Sequence, residues 1–387
     1  MTQRLARRDD LGLIPGEDPF VLAQGGFYRR WLSLVDDVEE LRRAVSRLPG
    51  TTDDKWVPHW SSIARRHEDE GDRLTTAGRG EDALRAYRAA KNYYSLARFP
   101  GVLTPLKRKA QEDCLRAFAK SVAHEEPPVE SVIVETAGGA IPCHYRSPAS
   151  SSAESPGPAI LVMCGADMFK EDRGWAAQLA LDEGIAALVM DAPGTGENPY
   201  PHEPGSVVAW RAAIDWLAAR PEVDALRIGA FGISRGGYSV MQLAGAYPEM
   251  VRAVIANGGH HFGYRMGPEE AAAFVAVRNA RSEHVFGAPG DGPTFPPTTV
   301  EAEEELLDLW SLESLGLVDR IVCPLLMING KHDHLNPVGN IYYMLEHGPA
   351  TGREARIYAD DGHCAPRHRH EWAPAALAWM AGKLAAR

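Results

Sequence analysis

The chain has 387 residues, and 41 Lys and Arg against 52 Asp and Glu give a formal net charge of −11. With 45% hydrophobic and 24% charged residues it has ordinary globular composition, which argues against wholesale disorder, collagen-like repeats and a membrane bundle. The acidic balance argues against a nucleic-acid partner, since no surplus of cations is available to displace counterions from phosphates, and at roughly 100–200 residues per domain the length predicts two domains or one capped domain.

The N-terminal stretch MTQRLARRDDLGL lacks the roughly 7-residue apolar run of a signal peptide, and no segment approaches the ~18 apolar residues of a membrane span. A soluble, cytoplasmic protein without membrane contact is expected. Arg4, Arg7, Arg8, Arg65 and Arg66 lie among acids and read as solvated helix faces. Cys114, Cys143, Cys164, Cys323 and Cys364 are few, odd in number and widely spaced, which suits free thiols in a reducing compartment and offers no metal-ligand pattern.

From Phe20 to about His124 apolar residues recur at three and four with charges on the other face, the period of amphipathic helices. One helix is predicted through FYRRWLSLVDDVEELRRAVSRL, ending at Pro49-Gly50, and a second from Asp53 or Asp54, where an acidic cap suits a helix start. A third spans EDALRAYRAAKNYYSLARF and a fourth, after Pro105, LKRKAQEDCLRAFAKSVAH. Short connections make them antiparallel neighbours in a bundle.

After Pro127-Pro128 the period becomes strand-like. A hairpin, VESVIVET and AIPCHYRSP around AGG, is followed by apolar runs alternating with helices: AILVMCG, IAALVMDAPG, LRIGAFGIS, VRAVIANGG, CPLLMING and ARIYADDGH. Such alternation is the mark of an α/β protein with a mainly parallel sheet covered on both faces. The expected organisation is a helical lid or cap over residues 1–127 and a catalytic α/β domain over 128–387, with a lid insertion at about 260–319.

Gly232-Ile233-Ser234-Arg235-Gly236 reads GxSxG between an apolar strand and a small-residue helix start, the setting of a nucleophile elbow, whereas the five letters alone are weak evidence. A serine hydroxyl needs a base, and the base needs a group to hold its tautomer. Asp333 follows CPLLMING and His363 follows ARIYADDG, both at strand ends, where sites of open α/β sheets collect. Asp360 and Asp361 are expected to shape the turn before His363, with His332 and His334 at the rim. The oxyanion hole is expected from the backbone N–H of Arg235 and of Ala166, in the loop after AILVMCG. Residues 191–197, DAPGTGE, lack the Lys and Gly spacing of a phosphate loop and read as structural.

These motifs, with the GADMFKED loop, GISRGG, GKHDHLNP, DDGH and the helical RAYRAAKNYYSLARF, resemble the α/β-hydrolase superfamily. Within it they are similar to the group with an N-terminal helical lid domain, which includes 2,6-dihydroxy-pseudo-oxynicotine hydrolase and fungal polyketide-shortening hydrolases. The resemblance implies Ser234 as nucleophile, Asp333 as orienting acid, His363 as base, Ala166 and Arg235 as oxyanion donors, and no cofactor. It also implies that some members cleave carbon-carbon bonds of 1,3-dicarbonyls. Where the nicotine-pathway enzyme has a further acid, this chain has Gly259-His260-His261-Phe262-Gly263-Tyr264, so His260, His261 and Tyr264 become candidate substrate contacts, with surface histidines as the alternative.

The reading these features support is a serine hydrolase acting on a bulky apolar small molecule, a polyketide-like intermediate, at an ester or a 1,3-dicarbonyl bond. One alternative keeps the site and changes the reaction to acetate elimination from an acetylated tetronate. Another is a non-catalytic hydrolase-like binding module. A small molecule is the expected partner, and a homodimer is a further expectation.

Overall fold

The computed structural model describes residues 28, 31–32, 34–99, 103–123, 125–259, 261–286, 298–333, 335–350 and 352–385. Among the described residues the N-terminal part holds the helices α1 (Val38–Ser46), α2 (Asp53–Thr76), α3 (Gly80–Arg98) and α4 (Pro105–Val122). The predicted first helix is interrupted. Trp31 O accepts from the amides of Leu34 and Val35, and Asp37 then starts α1 by accepting the Glu40 amide at 2.8 Å. An aspartate can cap a new helix as readily as continue an old one, and here it caps. α2 starts at Asp53, as expected, but its cap is not acidic. Thr52 holds the cap position, while Asp53, in the first turn, accepts the Thr104 hydroxyl and pairs with Lys107 at 3.2 Å, tying α2 to α4.

This helical layer has its own core. Trp31, Trp56, Trp60, Tyr93, Tyr94 and Phe99 are buried together, with Trp31 ring centroids 5.5–5.9 Å from those of Trp56, Trp60 and Phe99. The Trp56 indole N–H donates to Leu96 O at 2.7 Å, so the ring's polar edge is satisfied where its body is dry.

The rest of the chain forms one eight-stranded sheet in the order β1-β2-β4-β3-β5-β6-β7-β8. β1 (Glu130–Thr136) and β2 (Gly139–Arg146) make the predicted hairpin, and β2 joins β4 (Ala186–Met190) antiparallel. β3 (Gly157–Met163), β4, β5 (Val223–Ile233), β6 (Val254–Asn257), β7 (Leu325–Gly330) and β8 (Arg353–Tyr358) run parallel. One face is covered by α6 (Val207–Ala218), α7 (Arg235–Ala246) and α10 (Gly339–Glu346), through Trp210, Tyr238, Leu243 and Met344. The other is covered by α5 (Gly174–Asp182) and α11 (Arg369–Ala385), through Ala176, Trp372, Leu377 and Met380. Burial on both faces is why β4 and β7 read as unbroken apolar runs.

The long interval after β6 holds α8 (Pro268–Phe286) and α9 (Val300–Trp310). It is pinned to α7, where the Tyr238 hydroxyl donates to Trp310 O at 2.7 Å. The helical layer docks on the 3-10 turn Lys170–Arg173. Asp172, in that turn, takes Ser95 Oγ at 2.6 Å, Lys91 Nζ at 3.2 Å and the guanidinium of Arg98, and Arg98 also lies 3.8 Å over the Phe169 ring. No helix among the described residues is long and apolar enough to cross a membrane.

Candidate active site

Ser234 stands at the β5-to-α7 turn with φ 59° and ψ −121°, a conformation that L side chains rarely adopt and that projects the side chain away from the turn. The flanking glycines are sterically required. A Cβ on Gly232 would lie 1.9 Å from Gly236 O, and one on Gly236 would lie 2.3 Å from Met163 O at the end of β3. The Ser234 amide donates to Asn257 O at 2.7 Å, which fixes the elbow against β6.

The three residues expected from chain order meet here. Ser234 Oγ lies 2.8 Å from His363 Nε2, and His363 Nδ1 lies 2.7 Å from Asp333 Oδ2. Asp333 is held in turn by the Asn329 side chain at 2.8 Å and by the amides of Leu335 at 2.8 Å and Asn336 at 3.0 Å. With a carboxylate on Nδ1, that nitrogen carries the proton and Nε2 is left to accept from the serine. Burial opposes the charge on both partners. Their mutual attraction outweighs it, holding Asp333 below the usual carboxylate range and His363 above the usual imidazole value.

Several supports carried no motif. Asn257 Nδ2 donates to Cys364 O at 3.2 Å, Asn329 Oδ1 accepts the Cys364 amide at 2.8 Å, and the Asn336 amide group lies 3.1 Å from His363 Nδ1. The available signal was a polar residue at the end of an otherwise apolar strand, VIAN and LLMING. Asp361 accepts the amides of Gly362 and Arg367, each at 2.8 Å, and Asp360 meets His368 at 2.7 Å, so both shape the turn as expected. His332 is exposed, and His334 lies outside the described residues.

The β3 loop abuts Ser234: a Cβ on Gly165 would sit 3.7 Å from Ser234 Oγ. The 191–197 loop is a scaffold, with Asp191 accepting the Lys170 amide at 2.7 Å and the Glu197 amide at 3.1 Å.

A cavity of about 70 Å³ opens on Ser234 and His363, walled by Asp167, Met168, Arg173, Trp175, Arg369 and Trp372 among others. His261 and Tyr264 are not among its lining residues. Tyr264 donates to Glu270 at 2.6 Å, and His261, at φ 59°, is kept neutral by burial with Arg278 adding to the effect, its pKa lowered to about 4. His260 lies outside the described residues. Trp31, Trp56, Trp60, Tyr93, Tyr94 and Phe99 of the helical layer fill that layer's own core and do not line this cavity. The layer contributes Lys91, Asn92 and Phe118 to a second cavity of about 310 Å³, which shares Trp175 and Arg369 with the first.

A family model described as esterase FrsA-like matches residues 44–272, more than half of the chain. The chain belongs to the FrsA-like esterase family. It is an α/β-hydrolase enzyme, and a second model, the C-terminal part of BAAT and acyl-CoA thioester hydrolases, matches residues 210–363. This FrsA-like chain is 24% identical over 320 residues to 2,6-dihydropseudooxynicotine hydrolase of Paenarthrobacter nicotinovorans, covering 80% of this chain and 79% of that one. It is 27% identical over 253 residues to the α/β-hydrolase ucsC of an Acremonium species, covering 57% of this chain and about half, 49%, of that protein's length. The crystal structure of 2,6-dihydroxy-pseudo-oxynicotine hydrolase superposes with a TM-score of 0.72 at 22% identity, covering 92% of this chain and 95% of that one, which establishes the shared fold.

Proposed function

We propose that this FrsA-like enzyme is a serine hydrolase in which Ser234 attacks a carbonyl carbon of a small molecule, His363 takes the serine proton and Asp333 holds the imidazole in the productive tautomer. The observation that carries the reading is the unbroken chain of contacts from Asp333 through His363 to a serine in a left-handed turn. Attack moves the carbonyl electron pair onto oxygen, and the amides of Arg235 and Ala166 are the donors for that oxyanion. On collapse, the proton on His363 passes to the leaving group, and water repeats the sequence on the acyl-enzyme.

With an ester the leaving group is an alcohol. With a 1,3-dicarbonyl it is a carbanion stabilised as an enolate, and the same imidazolium protonates carbon. Ester cleavage is the first reading, because it asks for no acid beyond Asp333, His363 and Ser234, whose mutual contacts support it. The similarity to 2,6-dihydropseudooxynicotine hydrolase, together with the family resemblance carried by the sequence motifs, makes a secondary-metabolite substrate the second element of the proposal. Acetate elimination from the same site would release an alkene with free acetate, and product analysis separates it from hydrolysis.

A fluorophosphonate probe is expected to label the wild-type protein and to lose at least ~99% of labelling in Ser234→Ala, with ester turnover lost in parallel. Equal labelling of the two proteins would remove Ser234 from the nucleophile role.

A further inference from the structure

Two guanidinium groups stand in the wall of the Ser234 cavity. Arg173 ends the 3-10 turn and immediately precedes α5, and Arg369 is the first residue of α11. Arg173 is 9% exposed, and its buried Nε has no hydrogen-bond partner. Among the described residues no carboxylate lies within ion-pair distance of either guanidinium. Arg369 instead lies 5.2 Å over the Trp175 ring, and the Trp175 and Trp372 rings meet edge to face at 6.0 Å, so the N-terminal turns of α5 and α11 converge on the cavity.

Three unfavourable effects coincide there. A cation is buried without a direct ion-pair partner, the Asp167 carboxylate of the same wall and Asp36 acting only from beyond ion-pair distance, two cations lie near one another, and both stand at helix N-termini, whose unpaired amides already carry partial positive charge. Burial followed by the neighbouring Arg173 keeps the Arg369 pKa below the ordinary guanidinium value, with Asp36 offsetting part of the effect. All three effects reverse sign when an oxyanion lies between the two groups. The indoles of Trp175 and Trp372 add apolar wall beside the two guanidinium groups, and a guanidinium fork matches the two oxygens of a carboxylate.

We propose that Arg173 and Arg369 form a carboxylate subsite of the Ser234 cavity, so that the substrate is an ester or dicarbonyl that also carries a carboxylate within reach of its scissile carbonyl. This rests on the hydrolase reading of Ser234, and it adds a charge to the bulky, largely apolar substrate that the sequence leads one to expect.

The test uses arylboronic acids, which form a tetrahedral adduct with an activated serine. Binding of 3-carboxyphenylboronic acid, its methyl ester and the corresponding phosphonate is measured by calorimetry on the full-length protein and on R173Q, R369Q, R173K and Ser234→Ala. The wild type is expected to bind the carboxylate on the order of 10- to 100-fold more tightly than the methyl ester, the worth of charge-assisted hydrogen bonds. R173Q and R369Q are expected to bring that ratio towards one, and R173K to keep part of it. The ratio of two affinities within one variant does not depend on its folded fraction, so a destabilised variant remains as informative as a stable one. A wild-type ratio near one, a ratio unchanged in both Gln variants, or an advantage confined to the phosphonate would overturn the subsite. Boronates that bind equally well to Ser234→Ala would instead overturn the nucleophile, a separate outcome.

Discussion

At the scale of single residues, the arrangement turns on one imidazole whose two nitrogens do different work. Because His363 is held above the usual imidazole value, and because the proposed mechanism needs it unprotonated to accept the serine proton, kcat/KM should rise with pH and its acidic limb should lie above pH ~6.5. Asp333→Asn removes the charge that raises it and leaves the imidazole free to take the wrong tautomer. The expected outcome is a limb displaced to lower pH and kcat/KM reduced by up to ~10⁴-fold. A pH profile of p-nitrophenyl ester hydrolysis checks both, and a limb that does not move would assign the orienting role to another group. The residues GISRGG were legible in the sequence because backbone approach leaves no room for a side chain at Gly232 or Gly236. Asn257, Asn329 and Asn336 were not, because an asparagine that braces a catalytic loop looks like any other until its partner from a distant strand is placed beside it.

At the scale of elements, the 3-10 turn Lys170–Arg173 does two jobs with adjacent residues. Asp172 faces the helical layer and Arg173 faces the nucleophile cavity. Burial opposes ionisation of Asp172, but Arg98 and Lys91 outweigh it and hold the carboxyl well below its usual range. A depressed folded-state pKa gives stability that is fully present above the unfolded value, near pH 4, and is lost as pH falls through the folded one. Asp172→Asn should therefore lower stability at pH 7 by ~3–5 kcal/mol, because Arg98 is left buried without its counter-charge. It should also flatten the dependence of stability on pH below about 4. Denaturant unfolding at pH 7 and pH 3.5 measures both effects, and a variant as stable as the wild type at pH 7 would reduce this contact to a surface pair. The helix starts at Asp37 and Thr52 show the same division: the sequence held several acceptable caps, and the choice fell to tertiary partners such as Thr104 and Lys107.

At the scale of the whole molecule, two layers with separate cores meet along one charged seam. Trp60 is fully buried in the helical core and lines neither cavity. Trp60→Ala should cost ~3–5 kcal/mol of stability through the void it leaves. The folded protein should still label at Ser234 with wild-type kinetics well below its lowered melting temperature. A raised KM with unchanged stability would instead make the aromatic layer a substrate wall. Trp and Tyr serve dry cores and ligand pockets equally well, and composition does not tell the two apart.

The sequence by itself determined what depends on local pattern. The change of period near Pro127-Pro128, the alternating apolar runs that became a parallel sheet, and the elbow glycines are all constraints between near neighbours in the chain. Ser234, Asp333 and His363 were also legible, because in this fold each stands at a strand end that the pattern marks. The tertiary structure decided what depends on separations of many tens of residues. It brought Arg173 and Arg369 into one cavity wall, turned Asp172 towards Arg98, and packed Trp31, Trp56 and Trp60 of the helical layer against one another rather than around Ser234. Charge and burial act through space, so the preference of the site emerges only when the helices that carry its charges are set side by side.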